Sequence, residues 1–449
     1  MKKVFCFLVS GIVVFSGILN SCKEYNNSLF PQPTPKEIVS YLASDSLQGR
    51  FPGTAGNNAA ADYIAMNFKN AGLEPIAQIQ ALPNSTAKTQ ASDIASSYLL
   101  PFTARTSKGI FRTQNVAGFV KGTDSTMCHE VVIIGAHYDH LGLGGPESPS
   151  REKDTIAVHN GADDNASGCA SVITLAYEFA KHPTKRSLLF IDFSAEEMGL
   201  IGSKAFTRDM DFYNFGMDSV SYMAMVNADM IGHLKKGHFS IDGTGTSPLS
   251  PKIVSDLSDE LHISQGKSGY GASDHTSFYL KHIPVFFVHT PATVDYHTPA
   301  DDADKLNYNG MDSVIFVMQK LVKKLGNMTD SLPFTNSEIE AEGASHHGTK
   351  MKVKLGLMPD VTGSCEYGMS ADIVVKGKAA YKGGMRSGDI ILSINDRPVK
   401  NVYVYMDILS HINPGQVIQV KIKRKDKEMI FSILPTAVKK GEGVMKHNN

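Results

Sequence analysis

Five short segments, in one order along the 449-residue chain, carry side chains suited to hard or borderline metal ions. They read GAHYDHLG around His137, HNGADDNASG around Asp164, FSAEEMG around Glu196 and Glu197, NADMIG around Asp229, and DYHTP around His297. Two histidines, two aspartates and one glutamate suit a pair of zinc-like ions, with one carboxylate bridging and an open position on each ion for water. The remaining glutamate is then free to accept a proton as general base. The chemistry this points to is metal-assisted hydrolysis.

Each segment also has a plainer reading. His137 and Asp139 form an H-x-D pair on one face of an extended backbone, so Asp139 can accept from the other imidazole nitrogen and orient the ring. The alternative is a satisfied core histidine, and His140 reads as a supporting or structural residue. Asp163, Asp164 and Asn165 sit in a turn between Gly161 and Gly168, where such residues ordinarily cap helices. In so tight a turn one carboxylate can bridge two ions while its neighbour supports it, and Asp164 is the expected bridge.

Glu196 and Glu197 follow an apolar run, and adjacent carboxylates there repel one another. Glu197 as ligand and Glu196 as base gives each a separate task. Asp229 emerges from another apolar run. Asp301 is predicted to hold the His297 ring by its second nitrogen. Tyr270, in the glycine-rich SGYGASDHTSF, can bring a phenol towards a developing oxyanion. For Tyr270 and Tyr296 the plain alternative is packing at the cleft wall.

The elements that must position these groups are strands alternating with helices. Val131–Gly135, Leu188–Phe193, Tyr222–Val226 and Val285–Val288 are short apolar runs, as expected of strands buried on both faces. Val172, Leu175, Ala176 and Phe179 mark a helix between the first two, and Val314 to Leu321 mark another, closed by Gly326. Helices are also expected near Pro35–Ala43 and across Ala60–Phe68 with Gly72 as its stop, whereas Gln78–Thr103 reads as irregular. The fold class is α/β, a doubly wound, mostly parallel sheet with flanking helices. Such sheets bind ligands outside the carboxyl ends of their strands, where the motifs fall.

Hydrophobic content of 42% and charged content of 20% describe a globular protein, and a formal charge of -1 gives no electrostatic case for nucleic acid. Lys2 and Lys3 precede an apolar run from Val4 to Leu19 that is too short to span a membrane and ends in Leu19-Asn20-Ser21-Cys22. This resembles a bacterial lipoprotein signal, which implies lipidation at Cys22 and a cell-envelope location, periplasmic or outer-membrane. The expected layout is signal peptide 1–22, tether 23–36, catalytic domain 37–330, polar linker 336–349 and a small β-rich unit 350–437. Cys128, Cys169 and Cys365 form no disulfide framework, and Cys169 reads as a buried small hydrophobe.

From about Leu42 to Leu325 the motifs resemble the co-catalytic zinc aminopeptidases, whose relatives include bacterial leucine aminopeptidases, glutamate carboxypeptidase and glutaminyl cyclases. The resemblance implies a zinc exopeptidase-like fold. One metal would be held by His137 and Asp229, the other by Glu197 and His297, with Asp164 bridging and Glu196 as base. It implies two zinc ions, although Mn or Co can use these ligands. Tyr270 matches a tyrosine that stabilises the tetrahedral intermediate in some members; the cysteine pair that flanks it there is replaced by Ser268 and Ala272. The C-terminal unit resembles a bacterial PDZ domain. Leu355-Gly356-Leu357 matches its carboxylate-binding loop, and Gly384 to Ile390 its turn-and-strand signature.

These resemblances imply an exported aminopeptidase acting on peptides, with peptide C-termini as further PDZ ligands and the substrate's free amine beside the second metal. One rival is glutaminyl cyclase chemistry on the same fold with a single metal. Retention of both His137 and Asp229, and the absence of tryptophan, speak against it. A non-catalytic peptide-binding scaffold is the other rival, and the full ligand set with Glu196 speaks against that.

Overall fold

The computed structural model describes residues 31–76, 95–106, 109–146, 148–213, 215–257, 260–337, 352–359, 367–399 and 402–437. The signal segment with Cys22, most of the polar linker and Cys365 lie outside these residues. Among the described residues no helix is long and apolar enough to cross a membrane.

Nine strands form one sheet: β1 (Glu74–Pro75), β2 (Leu99–Thr106), β3 (Gly109–Val120), β4 (Glu130–His137), β5 (Ser187–Phe193), β6 (Ser221–Ala228), β7 (His238–Asp242), β8 (His262–Gln265) and β9 (Val285–His289). Their order is β1-β3-β5-β4-β6-β9-β7-β8, with β2 on β3. The centre, β5-β4-β6-β9, is parallel, while β3 and β7 join it antiparallel. Every residue of β5 is buried, which is why it reads as an unbroken apolar run rather than an alternating one.

Helices cover both faces. On one lie α1 (Pro35–Leu42), α2 (Ala55–Ala71), α3 (Gly168–Lys181), α5 (Ser250–Ser255) and α7 (Tyr308–Asn327), packed with Val132, Ile134 and Val226 of the sheet. On the other, α4 (Ile201–Asp209) and α6 (His275–Tyr279) bring Phe206 and Phe278 against Val131, Ile133 and Ile191. Alternate residues of β4 thus feed the two cores, the period-two consequence of a pleated strand. Local signals fix the helix ends. Thr34 and Glu37 form a capping box on α1, and Gly72 takes a left-handed φ of 89° at the end of α2.

Two expectations need correction. Leu99–Thr106 is not irregular but an edge strand, paired with β3 along its full length. Its half-exposed pattern and Pro101 hide it, because prolines are tolerated on strand edges. Gly326 does not end α7, which runs one residue further. It lies where a Cβ would come within 2.5 Å of the Thr184 hydroxyl, so close packing explains the glycine.

The C-terminal unit has its own core, built from Val353, Leu355, Met369, Ile391, Val420, Ile433 and their neighbours. Its sheet runs β11 (Leu357–Pro359), β12 (Met369–Val374), β13 (Asp389–Ile394), β15 (Ile418–Arg424), β16 (Lys427–Ile433), with β14 (Arg397–Pro398) on β13. A two-strand pairing of β10 (Val353–Lys354) with β17 (Thr436–Ala437) closes it, beside α8 (Ala379–Lys382) and α9 (Val402–His411). Leu355 and Leu357 are buried around Gly356, whose φ of 71° suits a tight loop before the edge strand β11.

Candidate metal centre

The parallel register sets the site. His137 pairs with Phe193, and Gly135 with Asn227, so β4, β5 and β6 end level with one another. His137 is the last residue of β4, Glu196 and Glu197 follow β5, and Asp229 follows β6. Asp164 lies in the turn before α3, and His297 on the loop after β9. Ala195, Met230 and His297 hold left-handed φ values of 58°, 59° and 56°. Non-glycine residues there cost about 1–3 kcal/mol each, and all three belong to or adjoin residues of the site.

Asp164 stands between two groups of donors. Its Oδ1 is 3.3 Å from His137 Nε2, which is 3.5 Å from Asp229 Oδ1 and 4.0 Å from Glu196 Oε2. Its Oδ2 is 3.0 Å from His297 Nε2, which is 3.2 Å from Glu197 Oε1. One carboxylate with an oxygen in each group has the arrangement of a bridge between two ions. The five expected ligands and Glu196 therefore converge on one crevice.

Two aspartates hold this arrangement from behind. The Asp139 carboxylate accepts the amides of Glu196 (3.0 Å) and Glu197 (3.3 Å), and its Oδ1 lies 3.7 Å from His137 Nδ1. Asp301 accepts the amides of Asp163 (2.9 Å) and Asp164 (3.0 Å). The expectation that Asp301 orients the His297 ring is thereby corrected, since His297 Nδ1 faces the Pro149 carbonyl at 3.4 Å. Two adjacent amides at hydrogen-bond distance are the better partner for a buried carboxylate than one ring nitrogen. Asn165 ties the same turn to the end of β6, donating to the Ala228 carbonyl and accepting from Met230 and Gly168.

Two supporting residues escaped the sequence reading. Arg50 is fully buried and donates to the carbonyls of Leu42, Tyr138, Asn160 and Gly161, clamping the loops that carry His137 and Asp164. Its one mark in the sequence is an arginine directly after Gly49 in the approach to α2. Asp274, in the glycine-rich loop, is fully buried with neither oxygen hydrogen-bonded among the described residues. An acid beside Ser273 and His275 was the available clue.

The electrostatics are those of a crowded acidic pocket. Burial raises the Glu196 carboxyl well above its usual range; His137 opposes this, while Glu197, Asp274 and Asp229 add to it. Burial likewise pushes Asp139 and Asp274 up to about 7. Burial alone would lower His137 and His297, but the surrounding carboxylates reverse this and raise both. Burial also works to raise Asp164, yet His137 and His297 hold it well below the ordinary range. Within the same pocket His297 Nε2, Glu197 Oε1 and Asp229 Oδ1 have no hydrogen-bond partner among the described residues. Buried polar atoms without partners are costly, and so many carboxylates facing one space call for cations. The imidazole and carboxylate donors fit zinc or a similar divalent ion.

Tyr270 is placed differently from the expectation. Its hydroxyl donates to the Pro359 carbonyl (2.7 Å), at the end of β11 in the C-terminal unit. A role at an oxyanion requires that bond to be exchanged. Tyr296 stacks on the His297 ring, with centroids 3.9 Å apart.

Residues 115–322 match the profile of peptidase family M28, and residues 359–434 match a PDZ domain. The chain carries a peptidase family M28 domain followed by a PDZ domain. All five candidate ligands and Glu196 lie within the M28 segment. The M28 chain is 25% identical over 306 residues to Aminopeptidase YwaD of Bacillus subtilis (strain 168), covering 64% of this chain and 58% of that protein. It is 25% identical over 356 residues to Leupeptin-inactivating enzyme 1 of Streptomyces exfoliatus, covering 76% and 69%. With the Probable lipoprotein aminopeptidase LpqL of Mycobacterium tuberculosis it shares 29% identity over 191 residues, covering 39% and 34%. The chain thus spans little more than half the length of the first of these relatives and about a third of the last.

Proposed function

We propose that the chain is a two-zinc aminopeptidase that removes N-terminal residues from peptides. The observation that carries this is the Asp164 carboxylate, with one oxygen towards His137 and Asp229 and the other towards His297 and Glu197. The aminopeptidase names of two M28 relatives support the substrate class.

His137, Asp164 and Asp229 would hold one ion, and Asp164, Glu197 and His297 the other. When bound, the pair supplies Lewis acidity towards water and the scissile carbonyl. Glu196, within 4.0 Å of the His137 nitrogen, takes the proton that water loses as its oxygen adds to the carbonyl carbon. As the C–N bond breaks, Glu196 returns that proton to the departing amine. Asp139, by gripping the amides of Glu196 and Glu197, keeps base and ligand from exchanging places.

The test is a panel of aminoacyl-arylamides and their N-acetylated counterparts. Cleavage of the free-amine set alone supports the reading. Equal cleavage of both sets points to an endopeptidase, and cyclisation of N-terminal glutamine without hydrolysis points to cyclase chemistry. The basic, apolar leader ending at Cys22 supports export and lipid anchoring, which radiolabelled palmitate incorporation checks against Cys22→Ala. The loop Leu355-Gly356-Leu357 supports capture of peptide C-termini by backbone N–H groups. Comparing binding of one peptide with its C-terminally amidated form measures that contribution.

A further inference from the structure

Three stacked rings stand beside the metal centre and have no task in the hydrolysis itself. Phe287 and His289 are alternate residues of β9, and His275 is the first residue of α6. The His275 and Phe287 rings stack with centroids 4.3 Å apart, and Phe287 and His289 with centroids 4.7 Å apart. Parallel pairing sets Ala228 opposite Val288, so the next residues, Asp229 and His289, fall side by side on one face. The Asp229 amide donates to the Val288 carbonyl (3.1 Å), which continues that pairing past the end of β6. The stack therefore reaches the edge of the crevice at the carboxyl end of β9, next to a candidate ligand of the first ion.

The rings differ in what they leave available. His275 is buried, its Nδ1 has no hydrogen-bond partner among the described residues, and burial pushes its pKa down to about 3. It is a neutral flat ring that backs Phe287. His289 has 27% of its side chain exposed. Its Nε2 lies 3.1 Å from Asp242 Oδ2, and its Nδ1 lies 3.4 Å from the Thr290 carbonyl. Both partners are acceptors, so both nitrogens are committed as donors and the ring is held as an imidazolium. Burial works to lower the His289 pKa, but the bond to Asp242 outweighs this and raises it. With no N–H left for a substrate carboxylate, His289 offers only the outer face of its ring.

The order of the strands decides which part of a substrate meets this wall. Along the row β5-β4-β6-β9, Glu196 follows the first strand and His289 ends the last. Glu196 returns the proton to the departing amine, so the leaving group lies at its end of the row. The residue that keeps the scissile carbonyl, the N-terminal one, then lies towards β9. Resting on the aminopeptidase reading above, we propose that the His289 ring face selects substrates whose N-terminal side chain is aromatic. A flat π system on that face gains ring packing and attraction to the cation. An N-terminal lysine or arginine meets a like charge there, and an acidic side chain finds no free donor and the Asp242 carboxylate nearby. Asp242 is the residue that holds the ring in this orientation.

Two measurements on the full-length, zinc-loaded protein test this. In kcat/KM, phenylalanyl and tyrosyl arylamides should exceed the leucyl arylamide about tenfold, with lysyl and glutamyl arylamides below leucyl. In His289→Leu the aromatic advantage should shrink to less than about threefold. The second readout is binding of L-tryptophan, the product of a tryptophanyl substrate. The chain contains no tryptophan, so the indole signal comes from the ligand alone. Stacking on the imidazolium should quench that fluorescence in the wild type, and the quenching should weaken in His289→Leu and in Asp242→Asn. A leucyl or lysyl preference in the wild type would overturn the assignment even if the variants misfold. Unchanged ranking and quenching in folded His289→Leu would do the same. Failure of the aminopeptidase reading would show differently, as cleavage of no free-amine arylamide at all.

Discussion

The two domains treat buried carboxylates in opposite ways. In the PDZ domain Asp389 is buried and fully answered: Arg424 donates to it from Nε (2.6 Å) and Nη2 (2.8 Å), and the Arg386 amide adds a third bond at 2.8 Å. In the M28 domain Glu197, Asp229 and Asp274 carry buried oxygens without hydrogen-bond partners among the described residues. A structural acid is given its cation by the chain. The acids of the crevice are left for a cation from outside, and the contrast marks where the chemistry is.

That contrast can be broken or sharpened by mutation. The largest effect belongs to Glu196→Gln, which keeps shape but cannot accept a proton. Turnover should fall by ~10²–10⁴-fold with zinc content unchanged. Near-normal rates with full zinc would remove Glu196 from the chemistry. Next comes Asp301→Ala, which strips the amides of Asp163 and Asp164 of their acceptor. Loss of such support for a ligand typically costs ~10–100-fold in metal affinity, readable as a zinc competition titration. An unchanged affinity would mean that the turn holds itself.

Tyr270→Phe should be milder, because the hydroxyl is engaged by Pro359 rather than presented to the crevice. A fall in kcat of less than about tenfold is expected, against the ~10²–10³-fold of a dedicated oxyanion donor. A larger fall confined to kcat would show that the Pro359 bond is exchanged during turnover. The smallest effect on activity is expected from Asp389→Asn. It weakens charge-assisted bonds and should destabilise the PDZ domain by ~2 kcal/mol in chemical denaturation, with arylamide hydrolysis unchanged. Loss of hydrolysis would show that the domains do not keep their buried charges separate.

Much of this is legible in the sequence. β4, β5, β6 and β9 announce themselves because strands buried on both faces lack a polar side, and the ligand motifs follow them in order. The edge strand β2 does not, since half its surface faces solvent and Pro101 reads as a breaker. The role of Asp301 is not legible in the sequence, for a physical reason. A nearby acid after a histidine suggests a ring contact, but the acid caps a turn about 140 residues away in sequence. Arg50 acts on backbone carbonyls, which have no residue-type signature. His140 lies one residue beyond the H-x-D pair, and only the fold places its ring beside Glu197.

In the proposed centre Asp164 joins two ions. Zinc titration of metal-free protein, read by calorimetry and by direct metal analysis, tests it most directly in the wild type and in Asp164→Asn. Two equivalents are expected in the wild type, with both bindings weakened together in the variant because each ion loses the same carboxylate. One tightly bound equivalent in fully active protein, or loss of only one ion in Asp164→Asn, would contradict it.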